Sequence, residues 1–152
     1  MKPVLRATLA LTLSVGGLVA SQGSAAVAAA NPIQFARIQY DSPGKDTGTN
    51  ASLNAEWFQL KNTGHSTINL KSWTVRDAQN HVYRFASSFG LAPGHVVTVH
   101  TGSGTNTSTN RYWGSHWYIW NNGGDHAYVR TPSGSLADSC AWASVGAGYK
   151  NC

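Results

Sequence analysis

The sequence predicts an all-β sandwich of about seven to nine strands in a single domain, and three observations carry that expectation. From Asn31 onward, short stretches alternate apolar and polar residues. No window repeats at the helical period, and clusters of Gly, Pro, Asn, Asp and Ser separate the stretches. The part from Asn31 to Cys152 is about 120 residues, enough for one core and too short for two ordinary domains.

Residues 1–30 stand apart and read as a signal peptide. Lys2 and Arg6 give a basic start, Leu9 to Ala20 is a short apolar run, and "SAAVAAA" offers small-residue cleavage sites between residues 25 and 31. The apolar run is too short to cross a bilayer comfortably. The expectation is therefore a secreted domain, residues 31–152, with no stable membrane span after cleavage.

The elements follow in order. "IQFARIQY" reads as a strand of ambiguous facing, with Ile33, Phe35 and Arg37 on one side and Gln34, Ala36 and Ile38 on the other. "DSPGKDTGTN", Asp41 to Asn50, is a polar loop rich in turn residues. The next strand sets Glu56, Phe58 and Leu60 against Trp57, Gln59 and Lys61, and ends at the turn "KNTG". Ile68 pairs with Leu70, and Trp73 with Val75. "AQN" then turns the chain into "HVYRF", which puts Tyr83 and Phe85 together. After "LAPG", Val97 and Val99 face away from Val96, Thr98 and His100. "TGSGTNTSTN", Thr101 to Asn110, is a polar loop with nothing to bury. "RYWGSHWYIWNN" is dense in aromatic rings, "NNGGD" turns the chain, and "HAYVRT" points Ala127 and Val129 inward. A short strand around "SLADSCAW" closes the series.

Charge and cysteine usage narrow the classes. Without Lys2 and Arg6 the formal charge falls from +5 to +3, and the remaining cations form no run that would track a phosphate backbone. Nucleic acid is therefore not the favoured partner. Cys140 and Cys152, in an exported chain, are expected to form a disulfide that staples the C-terminal tail.

In order and spacing, "NAEWFQLKNTG", "INLKSWTVRD", "YRF", "LAPGHVVTVHTG" and "WNNGGDHAYVRTPSGSLAD" resemble the lamin-tail domain family over Ile33 to Trp142. The resemblance implies an immunoglobulin-like β-sandwich of the stand-alone exported bacterial type, with Glu56, Trp57, Trp73 and Asp125 as framework residues. It also implies a binding or interaction module rather than an enzyme. The carboxylate that the family often carries two residues after the Glu-aromatic pair is here Gln59.

Glu56 is the chain's single glutamate. Alternation points it at the core, where a carboxylate is expected to accept loop amides or pair with an arginine. Six histidines invite metal or triad chemistry, yet no HxH, HExxH or GxSxG pattern occurs. A small secreted hydrolase or nuclease using His and Asp, with or without a divalent metal, is the alternative reading. Asp41 and Asp46 carry oxygen donors of the kind calcium takes, without the EF-hand pattern. No metal or cofactor is expected.

The candidate ligand-binding residues are Tyr112, Trp113, Trp117, Tyr118, Trp120 and Asn121. Rings of this kind stack on sugars or fill partner pockets, but they also close the end of a small sandwich. A second candidate surface is an outward row of Trp57, Arg76, His126, Tyr128 and Arg130, if their strands are neighbours. The expected partner is a protein or a cell-surface glycan.

Overall fold

Period-two alternation builds two facing sheets in the computed structural model, which describes residues 31–143 and 146–152. The segment read as an export signal lies outside the described residues. In chain order the strands are β1 (Ile33–Gln39), β2 (Trp57–Asn62), β3 (Ile68–Asn69), β4 (Thr74–Arg76), β5 (Val82–Arg84), β6 (Gly90–Leu91), β7 (Val96–His100), β8 (Asn110–Tyr112), β9 (Asp125–Arg130), β10 (Leu136–Trp142) and β11 (Tyr149–Asn151). One sheet has the order β11-β1-β2-β7-β8 and the other β10-β9-β4-β5. Eleven strands are described rather than seven to nine, because β3 and β6 pair as a separate two-residue ladder. The result is an immunoglobulin-like sandwich.

A register shift between Phe35 and Arg37 resolves the ambiguous facing of β1. The extra residue reverses the alternation, so that Ile33 and Phe35 point inward before it and Ile38 and Tyr40 after it. The polar loop after β1 ends sooner than expected, because Asn50 opens a single helical turn, α1 (Asn50–Asn54). Thr49 caps that turn through its hydroxyl, which accepts from the Ser52 amide.

Phe58 sits at the centre of the core. Its ring meets Phe35, Tyr83, Trp113 and Trp120 edge-on, at centroid distances of 6.1, 6.0, 6.3 and 6.0 Å. Edge-to-face pairs add roughly 0.5–1.5 kcal/mol each beyond the area that they bury.

The two flanks of the sandwich differ. On one flank the Phe35 amide donates to Asp138 Oδ2 at 2.8 Å, and Tyr40 stacks on Trp142 at 4.8 Å. The disulfide Cys140–Cys152, with its Cα atoms 5.8 Å apart, ties β10 to the tail beyond β11 on that side. On the other flank β5 and β8 end their sheets, and a groove separates them.

Candidate functional site: the aromatic loop and the open flank

The loop that carries the aromatic candidates is drawn onto the sandwich by Glu56. One carboxylate oxygen accepts from the Ile119 amide at 2.8 Å and from the Thr101 hydroxyl at 2.7 Å. Glu56 is 1% exposed, and burial pushes its pKa up to about 8 against the opposing pull of the Ile119, Thr101 and Trp120 hydrogen bonds. The charge of Asp46 adds a small upward push. Glu56 accepts a loop amide, as expected, and has no arginine partner among the described residues. The start of the Thr101–Asn110 loop is tied down as well: Thr101 is buried, and Asn50 and Asn54 both donate to the Ser103 carbonyl.

Asp125 shapes the next turn. Its Oδ1 accepts from the amides of Ala78 and His126, and its Oδ2 from the amide and side chain of Asn121. Asn121 is thus engaged inside the turn, and its carbonyl also accepts from Trp142 Nε1 at 2.9 Å.

The six ligand-binding candidates separate by depth. Trp120 is 3% exposed and lies in the core against Phe58, Trp113 and Trp142, which leaves its ring no free surface. The Tyr118 hydroxyl meets Ser52 Oγ and the Gly48 amide. Trp117 is 68% exposed and rests against Gly48, whose φ of +67° favours glycine and whose added Cβ would lie 3.2 Å from the ring. Tyr112 and Trp113 line the groove on the open flank.

That groove has a volume of about 250 Å³ and runs between Val82–Ser87 of β5 and its sequel and Arg111–Trp113 of β8 and its sequel. Its aromatic walls are Tyr83, Phe85, Phe89, Tyr112 and Trp113. The Arg111 guanidinium lies 4.3 Å from the Phe89 ring centroid. Among the described residues, neither bordering strand has a pairing partner on this side. In the β4–β5 ladder, Phe85 donates to Trp73 and Asp77 donates to His81, so Val82 and Arg84 alternate out of phase and direct their N–H and C=O groups to the open edge. Burial pushes the Tyr83 hydroxyl up to about 12 although Arg111 pulls it down, so the phenol stays neutral.

Alternation marked Tyr83 and Phe85 in the sequence, but Val82, Phe89 and Arg111 escaped notice. The available signals were Arg111 directly before an aromatic pair and Val82 on the polar side of a short strand. The proposed outward row is also corrected. Arg76, His126, Tyr128 and Arg130 do share one face, but Trp57 lies on the outside of the opposite sheet, beneath Arg37. Trp73 is buried in the core.

Among the described residues, one histidine meets a carboxylate: His81 Nδ1 lies 2.6 Å from Asp77 Oδ2. Asp77 is fully buried and also accepts the His81 amide, so the pair locks the β4–β5 hairpin. Asp41 accepts from Asn122 Nδ2 at 2.9 Å, whereas Asp46 is exposed. No cluster of three or more His, Cys, Asp or Glu side chains able to hold a metal occurs among the described residues.

A family model described as Lamin Tail Domain matches residues 26–144. No curated protein matches the chain. The match spans the sandwich from before β1 to just past β10, with the strand order and the anchored aromatic loop described above, and the chain therefore belongs to the lamin tail domain family.

Proposed function

We propose that this protein is an exported, non-catalytic binding module that receives an extended segment of a partner protein on its open flank. The observation that carries the proposal is the groove between two unpaired strand edges. A peptide laid along β5 gains main-chain hydrogen bonds from Val82 and Arg84, while alternate side chains reach the aromatic walls. Arg111 favours an acidic residue in that segment, since no carboxylate among the described residues lines the groove. Export is supported by the basic-then-apolar start of the chain and by the Cys140–Cys152 disulfide, which suits an oxidising compartment. No described helix is long and apolar enough to cross a membrane. A non-catalytic role is supported by the buried acids, since Glu56, Asp77 and Asp125 all serve as acceptors that hold loops and turns.

The test is a display screen of random extended peptides against the purified protein. Val82→Pro deletes an edge N–H without touching the β4–β5 ladder. Enriched peptides should carry alternating apolar side chains and an acid. Their affinity should fall about tenfold for Val82→Pro and for Arg111→Ala, and hold for Trp117→Ala. Failure to enrich any sequence, or unchanged binding by Val82→Pro, would overturn the assignment.

A further inference from the structure

The outer face of the four-stranded sheet gathers three arginines that sequence spacing keeps apart. Register places Arg84, Thr74 and Arg130 side by side across β5, β4 and β9, and places Val82, Arg76 and Tyr128 in the adjacent row. With strands about 4.8 Å apart, the backbones of Arg84 and Arg130 are roughly 10 Å apart, and Arg76 lies about 7 Å along from their row. Each guanidinium is held in place by one bond from Nη1. Arg76 donates to Asn80 Oδ1 at 3.0 Å, Arg84 to the Ser72 carbonyl at 3.3 Å, and Arg130 to the Gly134 carbonyl at 2.8 Å.

Among the described residues, no Asp or Glu takes a place in these outward rows. No Arg or Lys pairs with a carboxylate among the described residues. The nearest acids in sequence are all turned away: Asp77 holds His81, Asp125 holds the turn amides, and Asp138 accepts from Phe35. Arg76 Nε is buried without a partner, but three tethered guanidinium groups on one face suit carboxylate or sulfate oxygens. Single-stranded nucleic acid is held by stacking bases on free rings, but the one aromatic here is engaged. Tyr128 lies under Arg76, 5.1 Å from its centroid, and stacks on His126 at 4.1 Å. Nor does the flat face offer an element that could enter a duplex groove. A thin chain of acidic sugars meets neither obstacle, and the Thr74 and Ser139 hydroxyls can serve its hydroxyl groups.

We propose that Arg76, Arg84 and Arg130 form a binding surface for an anionic polysaccharide, which adjoins the groove at Arg84 and does not rest on the peptide reading. The test is titration of the purified protein with heparin, polygalacturonate, neutral dextran and duplex DNA. At least one of the two acidic polysaccharides should bind and dextran should not. The triple variant Arg76→Gln/Arg84→Gln/Arg130→Gln should lose about tenfold or more in affinity. A control, Lys45→Gln/Lys61→Gln/Lys150→Gln, removes the same charge elsewhere and should lose much less. On the wild-type protein, amide shifts on adding the polysaccharide should centre on Thr74, Arg76, Tyr128 and Arg130. Equal losses in the two triple variants, shifts centred elsewhere, DNA binding at least as tight through these arginines, or no binding by either acidic polysaccharide would overturn the proposal.

Discussion

Glu56 joins three parts of the chain through one side chain: the turn before β2, Thr101 after β7, and the aromatic loop at Ile119. Its buried setting favours the protonated acid, with a folded pKa of about 8 against 4.5 for the free group. The stability that it contributes is therefore fully present below about pH 4.5 and is lost as pH rises through about 8. Glu56→Gln removes that dependence while keeping an oxygen acceptor for Ile119. Urea denaturation should show wild-type stability declining between pH 5 and pH 9, by an upper bound on the order of 4 kcal/mol, and a flatter profile for the variant. An identical slope in both proteins would assign the effect to other groups.

Among the elements, the turn from Trp120 to Asp125 bears most on the site, since it holds the base of the aromatic loop against β9. Asp125→Ala strands the amides of Ala78, Asn121 and His126. The expected loss is about 3 kcal/mol in denaturant unfolding, with Asp125→Asn recovering part of it. The strands themselves were legible wherever alternation was clean, as in Phe58 with Leu60, Val97 with Val99, and Ala127 with Val129. Alternation gave no guidance at Ala36, where one inserted residue reverses the phase of β1. Nor did it help in the aromatic loop, where tertiary contacts bury Trp120 and leave Trp117 exposed. The groove and the arginine face depend on which strands lie side by side. The parallel pairing of β7 with β8, and the placing of β4 between β5 and β9, are long-range choices that local patterning does not encode.

At the scale of the whole molecule, stability is concentrated on one flank and access on the other. The disulfide, the Phe35–Asp138 hydrogen bond and the Tyr40–Trp142 stack all lie on the β1–β10 side, away from the groove. Replacing both cysteines, Cys140→Ser/Cys152→Ser, should cost roughly 3 kcal/mol in denaturant unfolding while leaving groove binding by the folded protein intact. A loss of groove binding in folded protein would mean that the two flanks are coupled.

The matched family segment ends at residue 144, so β11 and Cys152 lie beyond it. β11 pairs with β1 along Arg37 to Gln39, and the Cys152 amide donates to the Ala36 carbonyl. Tyr149 adds its ring beneath the Arg37 guanidinium, 3.7 Å from the ring centroid. With this tail in place, β1 is an interior strand; with the tail released, its backbone would face solvent along half its length, a template for self-association. Reducing conditions would then do more than weaken the fold: they would expose an adhesive edge, and the short C-terminal staple would serve solubility as much as stability.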